Sequence, residues 1–138
     1  MKRLLLTVVF LAVFSMIITG CTNNNRSTGG LTTPNIQVQP ISVDELTKQL
    51  NAGTDKNTVL VDLREPFLYK KGHIKDAILI PFADFEKLYT QLDKNKKVIF
   101  ICHTGPMGDV TGQFLISKGY TKIYNLVGGM EAWDKNIH

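Results

Sequence analysis

Short apolar runs separated by polar segments dominate residues 41–138. Four of these runs are nearly continuous, as is typical of strands that are buried on both faces of a parallel sheet. They are TVLVDL (58–63), AILIP (77–81), KVIFI (97–101) and KIYNL (122–126). Pro81 ends the second run, since proline has no amide hydrogen for further strand pairing.

Apolar residues in the segments between these runs recur at helical spacing. Ser42 and Glu45 have the spacing of a capping box, which predicts a helix over about 42–51. Further helices are predicted in FADFEKLYTQLD (82–93), in MGDVTGQFLISKGY (107–120), where Gly119 is the expected stop, and in GGMEAWDKNI (128–137). Strands that alternate with helices predict an α/β fold: a single domain whose parallel sheet is flanked by helices on both faces.

Residues 1–20 have a different pattern, with a positive start, an unbroken apolar stretch and small residues at the end. This layout is typical of a secretory signal peptide, and a retained membrane helix is the alternative. Residues 22–40 are rich in Asn, Thr, Ser, Gly and Pro, which predicts a flexible tether. The expected organisation is therefore a signal peptide (1–20), Cys21 with its tether (21–40) and one folded domain (41–138).

The junction between the leader and the tether carries a more specific motif. The segment Ile18-Thr19-Gly20-Cys21 resembles the lipobox of bacterial lipoproteins. The resemblance implies that the Cys21 thiol is lipidated with diacylglyceryl, that the leader is cut off before it, and that the new amino terminus is often acylated, for example with palmitate. Two or three acyl chains would anchor the domain to a bacterial membrane on its extracytoplasmic side. An ordinary signal peptide with a fortuitous cysteine is the alternative.

The charge balance argues against a nucleic-acid partner. Loss of residues 1–20 removes Lys2 and Arg3 and leaves 14 basic and 12 acidic residues. The basic residues are scattered and form no stripe along a helix or strand. We expect the protein to be a monomer that is attached to a membrane through its lipid anchor.

Cys102 is the remaining cysteine, and it stands where KVIFI gives way to the polar, glycine-containing segment CHTGPMG. Ligands of parallel sheets bind beyond the carboxyl ends of the strands, and Cys102 and Asp62 lie at two such ends. A loop that leads into a helix amino terminus directs backbone N–H groups at an anion. A thiol at the rim of this loop is favoured as thiolate, which predicts a nucleophile; an inert buried cysteine is the alternative.

From about residue 41 onward the chain resembles the single-domain rhodanese-like sulfurtransferases. Three ordered motifs carry the resemblance. VDLREPFLYKKGHIKDAILIP matches the Asp-x-Arg … Gly-His-Ile-x-x-Ala … Ile-Pro signature, ICHTGPMG matches the strand with its six-residue active loop, and GGMEAW matches the closing segment.

The resemblance implies a reaction and a set of site residues. Cys102 is implied to take sulfane sulfur from thiosulfate, polysulfide or a protein-bound persulfide and to pass it, as a persulfide, to a thiophilic acceptor, without metal or organic cofactor. The substrate-binding loop is implied to consist of His103, Thr104, Gly105, Pro106, Met107 and Gly108. Structural support is implied for Asp62, Arg64 and His73: Asp62 ordering a loop, and Arg64 pairing with an acid that the sequence does not identify. Trp133 and Asp109 are expected in the core and in the first turn of a helix, respectively.

Two departures from the family pattern affect the expected substrate. Many members have Arg and then Ser or Thr at the places of Met107 and Gly108. Without that Arg, a dianionic donor such as thiosulfate is recognised less well, and the apolar Met107 favours polysulfide or a protein-bound persulfide.

Three other functions compete with sulfur transfer. A phosphatase or arsenate reductase of related fold needs an arginine where Gly108 stands, and a zinc or haem site is not expected because His73, His103 and His138 have no ligand spacing. A non-catalytic rhodanese-like binding module, tethered to the membrane, remains the alternative.

Overall fold

The computed structural model describes residues 35–53 and 55–136. The predicted signal peptide, the lipidation site Cys21 and most of the predicted tether lie outside these residues. Five parallel strands form one sheet in the order β1-β5-β4-β2-β3. The strands are β1 (Gln39–Ile41), β2 (Thr58–Asp62), β3 (Ile78–Leu79), β4 (Lys97–Ile101) and β5 (Ile123–Leu126).

Four α-helical segments lie between successive strands, and a fifth follows β5. They are α1 (Val43–Asn51), α2 (Pro66–Lys71), α3 (Phe85–Leu88), α4 (Pro106–Ser117) and α5 (Gly129–Asn136). The predicted start of α1 is confirmed, because the Ser42 hydroxyl accepts a hydrogen bond of 3.2 Å from the backbone N–H of Glu45. Gly119 follows α4 with a φ of +89°, which is the left-handed conformation that ends many helices.

The core has two layers, one on each face of the sheet, because successive residues of a strand point to opposite faces. Ile99 and Ile101 of β4 face one cluster, which includes Leu46 of α1 and Trp133 of α5. Phe100, between them, faces the other cluster, which includes Phe85 of α3 and Leu115 of α4. The predicted α/β fold, with helices on both faces of a parallel sheet, is confirmed.

The prediction of one continuous helix over 82–93 is wrong. Its residues form a 3₁₀ turn (Phe82–Asp84), the single turn α3 and a second 3₁₀ turn (Tyr89–Gln91). Leu92 then has extended dihedral angles and is buried in the same cluster as Phe85. Apolar spacing alone identified the residues that face the core, but it did not distinguish a continuous helix from a chain of short turns.

Two elements were not predicted. Strand β1 crosses the predicted boundary between the tether and the domain, since Gln39 and Pro40 were assigned to the tether; it pairs with β5 and buries Ile41. Helix α2 begins at Pro66 and leaves Phe67 58 % exposed, and none of its six residues is fully buried. Neither element shows the apolar periodicity from which the other strands and helices were predicted. Within residues 35–53 and 55–136, no helix has both the length and the apolar character needed to cross a membrane.

Candidate active site

Cys102 directly follows β4, the central strand of the sheet, at its carboxyl end. The residue is 1 % exposed and packs in the cluster that contains Phe100 and Leu115. Its Sγ accepts a hydrogen bond of 3.0 Å from the backbone N–H of Gly105. The thiol therefore lies at the base of the loop, and the predicted position at the rim is wrong. The side chain continues the alternation of β4, which directs every second residue into this cluster.

The loop is shorter than the sequence predicted, because α4 begins at Pro106. Proline suits the first position of a helix, because an N–H at that position would have no hydrogen-bond partner within the helix. Gly105 precedes it with a φ of +124°, a conformation that side chains rarely adopt. Met107 and Gly108 thus belong to the first turn of α4, and the N–H of Gly108 donates to the carbonyl of Gly105 at 2.9 Å. The amino terminus of a 12-residue helix lies next to the thiol, where it favours negative charge.

The closing motif GGMEAW holds the start of the loop in place. At the beginning of α5, the N–H groups of Met130 and Glu131 donate to the carbonyls of Cys102 and His103 at 2.8 and 3.0 Å. Gly129 has a φ of +56°, and a Cβ on it would lie 2.6 Å from the His103 carbonyl oxygen. Glycine is therefore needed there for both its conformation and its small size. The motif links the last helix to the active loop.

Asp62 and Arg64 form a buried ion pair beside the loop. The Arg64 Nη2 atom lies 2.7 Å from Asp62 Oδ2, and the two side chains are 7 % and 0 % exposed. Asp62 also accepts a 3.0 Å hydrogen bond from the backbone N–H of Arg64, while Nη2 donates to the carbonyl of Gly72 at 2.8 Å. The acid that the sequence left unidentified is thus Asp62. Arg64 is the one arginine among residues 35–53 and 55–136, and its positive charge is paired with the Asp62 carboxylate inside the protein.

The two predicted histidines have different surroundings. His73 follows α2 and its cap residue Gly72; its Nδ1 is 2.9 Å from the Tyr69 carbonyl oxygen, and its ring stacks on the Tyr69 ring at 3.8 Å. His103 lies in the loop, with its Nε2 3.0 Å from Glu65 Oε2 and about half of each side chain exposed. The pKa of Glu65 is lowered, chiefly by a hydrogen bond from its own backbone N–H and then by His103. This contact joins the loop to the residue that precedes α2.

Depressions lie on both flanks of the loop. Met107 lines one of about 270 Å³ together with apolar residues from the segments around α2 and α3, among them Leu63, Pro81 and Phe82, and with the carboxylates of Glu65 and Asp84. The other, of about 350 Å³, is lined by Thr104, Gly105 and Pro106 of the loop and by residues of three further segments: Val38, Pro40, Asp109, Asn125, Val127 and Gly128. Met107 therefore has apolar neighbours, as its side chain predicted, but two carboxylates lie at the same depression.

Sequence reasoning missed Asn125 and Glu65. Asn125 is 5 % exposed in β5, and its Nδ2 donates to the carbonyl of Gly105 and to Asp109 Oδ1, both at 2.8 Å. The signal that could have found it was an amide side chain inside the apolar run KIYNL. Glu65 gave no comparable signal, because its contact with His103 joins segments 38 residues apart.

The fold and the site place this protein in a class of α/β proteins. These proteins carry a cysteine in a short loop between the central strand of a parallel sheet and the helix that follows it. The Rhodanese-like domain profile matches residues 42–136 of this chain. The chain belongs to the rhodanese-like domain family. Cys102 is the one cysteine among the described residues, and its thiol is free of any disulfide.

The proteins similar to this chain include one named as a sulfurtransferase and one named as a sulfur carrier. The chain is 28 % identical to the thiosulfate sulfurtransferase GlpE of Coxiella burnetii, over 70 % of this chain and 85 % of that protein. It is also 28 % identical to the Bacillus subtilis protein named "Putative sulfur carrier protein YrkF", over 70 % of this chain but only 51 % of YrkF, about half its length. The crystal structure of a rhodanese-like domain protein from Staphylococcus aureus superposes with a TM-score of 0.63 at 28 % identity, covering 70 % of this chain and 91 % of that chain.

Proposed function

We propose that the protein is a sulfurtransferase or sulfur carrier that uses Cys102 as its nucleophile. The observation that carries this proposal is the 3.0 Å hydrogen bond from the Gly105 N–H to Cys102 Sγ, next to the amino terminus of α4. Hydrogen bonds to a charged acceptor are stronger than neutral ones, so this N–H is placed to stabilise negative charge on the sulfur while it attacks and while it carries a persulfide. Membership of the rhodanese-like family and the names of its relatives support the same chemistry.

The reaction has two displacement steps and needs no external reductant. The Cys102 thiolate attacks the outer sulfur of the donor, a Cys102 S–S bond forms, and the donor S–S bond breaks. Sulfite leaves with the electron pair if the donor is thiosulfate. An acceptor thiolate or cyanide then attacks the outer sulfur of the Cys102 persulfide and releases the Cys102 thiolate.

We further propose that polysulfide or a protein-bound persulfide is a better donor than thiosulfate. Thiosulfate is a dianion, and a planar arginine fork would be its natural partner. Arg64 is buried against Asp62, and the depression beside Met107 is also lined by the carboxylates of Glu65 and Asp84. Their negative charges repel the compact thiosulfate dianion more strongly than a protein-bound persulfide, which carries one negative charge, or a polysulfide, whose charge is spread along its chain.

Intact-mass spectrometry tests this function directly. The full chain carrying Cys21→Ser, which leaves Cys102 as its one thiol, is reduced and then incubated with polysulfide or with thiosulfate. We expect a gain of one sulfur atom, removed by cyanide and absent from the matched Cys102→Ser chain, with more loading from polysulfide. A folded, reduced chain that takes sulfur from neither donor would contradict the proposal and favour the non-catalytic binding module.

We also propose that the protein is a lipoprotein, anchored to a bacterial membrane through Cys21 on the extracytoplasmic side. The motif Ile18-Thr19-Gly20-Cys21 and the tether-like composition of residues 22–34 support this proposal. Expression in bacteria with radiolabelled palmitate tests it, with Cys21→Ser as control. Labelled protein in the membrane fraction, lost in the variant, is expected; an unlabelled protein that remains outside the membrane fraction would contradict the anchor.

A further inference from the structure

Asn125 makes an unusual pair of hydrogen bonds for a side chain inside a parallel sheet. Its amide nitrogen donates to the Gly105 carbonyl and to the Asp109 carboxylate, both at 2.8 Å, and the residue is 5 % exposed. Both partners are acceptors, so the nitrogen of the amide must face them. The Asn125 Oδ1 atom is buried without a hydrogen-bond partner among the described residues. A buried orphan acceptor is destabilising, so the two bonds on the other side of the amide hold it there.

Gly108 provides the space that the Asn125 amide occupies. A Cβ on Gly108 would overlap Asn125 Oδ1 and lie 2.5 Å from Asn125 Cγ. Gly108 itself has ordinary helical surroundings in the first turn of α4, so no special backbone conformation requires glycine there. The requirement is steric, and its cause is Asn125.

Gly105 is the residue through which Asn125 reaches the thiol. The Gly105 N–H donates to Cys102 Sγ, while its carbonyl accepts from Asn125 Nδ2 and from the Gly108 N–H. Because Gly105 has a φ of +124°, the local chain conformation does not by itself favour this orientation of its two peptide groups. The bonds to its carbonyl therefore help to keep its N–H directed at the sulfur.

We propose that Asn125 is a positioning residue of the Cys102 loop, and that glycine at position 108 is what admits it. Asn125 orients Gly105 so that its N–H stabilises the Cys102 thiolate, and it holds the Asp109 carboxylate at the side of β5. The role in sulfur transfer rests on the function proposed above, but the effect on the thiolate does not.

A double-mutant cycle tests the proposal on the full chain carrying Cys21→Ser. The variants are Asn125→Ala, Gly108→Ala and the two together, each compared with a matching Cys102→Ser background. The readout is the thiolate-to-thiol ratio of Cys102 at neutral pH, from the ultraviolet absorbance of the thiolate. Tyr120→Phe is the matched control, because it removes the hydroxyl that donates to the Leu92 carbonyl at 2.7 Å and to the Tyr89 carbonyl at 3.2 Å, at a site separate from the loop.

We expect Asn125→Ala to lower the ratio about three- to tenfold, less than the loss of a whole hydrogen bond to a charged group would produce, because the variant misdirects the Gly105 N–H without removing it. Gly108→Ala should lower it by a similar factor, and the double variant no further than Asn125→Ala alone, since the overlap is then gone. Tyr120→Phe should lower the thermal midpoint and leave the ratio unchanged.

Two results would overturn the proposal. One is an unchanged ratio in folded Asn125→Ala; the other is an equal effect of Gly108→Ala in the presence and absence of the Asn125 side chain. If the cycle behaves as expected but the chain accepts no sulfur, the positioning role stands and the proposed function fails.

Discussion

The buried ion pair between Arg64 and Asp62 gives the sharpest prediction about stability. Arg64 makes three side-chain hydrogen bonds to the Asp62 carboxylate, at 3.0, 3.1 and 2.7 Å, and one of 2.8 Å to the Gly72 carbonyl. Asp62 is 0 % exposed. Removal of Arg64 would leave an uncompensated carboxylate in the core, which destabilises proteins by about 3–5 kcal/mol.

Replacement of Arg64 by methionine should therefore lower the free energy of unfolding by about 3–5 kcal/mol, a large part of the roughly 5–15 kcal/mol of an average domain. Urea denaturation followed by circular dichroism measures this change. The double variant Asp62→Asn/Arg64→Met should recover part of the loss, because no buried charge then remains unpaired.

The exposed pair of Lys135 and Glu131 is the matched control. Its N···O distance is also 2.7 Å, but its side chains are 70 % and 59 % exposed. Lys135→Met should leave the urea midpoint nearly unchanged, since water and salt screen exposed pairs. Equal effects of Arg64→Met and Lys135→Met, or a loss below about 1 kcal/mol for Arg64→Met, would refute the reasoning that burial decides the strength of this pair.

Three further predictions concern the loop. Gly129→Ala should destabilise the domain by about 2–4 kcal/mol and reduce sulfur loading, because a side chain at a φ of +56° is strained and would overlap the carbonyls of Cys102 and His103. Urea denaturation measures the loss of stability and mass spectrometry measures the loading; a variant with neither effect would contradict this account. Met107→Arg should raise thiosulfate loading about tenfold relative to polysulfide, as one added hydrogen bond to a charged group would do, whereas Met107→Leu should not. The pKa of Glu65, followed by carbon NMR, should rise only part of the way to its ordinary value in His103→Gln, because the hydrogen bond from the backbone N–H of Glu65, the largest single cause of the lowering, remains; a full return would contradict this account.

The sequence by itself determined the elements whose side chains repeat. Strands β2 and β4 coincide with TVLVDL and KVIFI to within one residue, and Ser42 caps α1 as its spacing predicted. The position of Cys102 at the carboxyl end of a buried strand also followed, since the residue comes directly after the apolar run KVIFI. Local periodicity and capping are properties of neighbouring residues, which is why the sequence displays them.

Only the tertiary structure decided which distant groups meet. Strand β1 exists because β5 offers it a free edge, and its own polar residues carry no strand signal. The partner of Arg64, the burial of Cys102 and the fit of Asn125 into the space left by Gly108 all depend on how the loops after β2, β4 and β5 converge at one edge of the sheet. These contacts arise from packing between segments that are far apart in the chain, so no pattern of neighbouring residues encodes them.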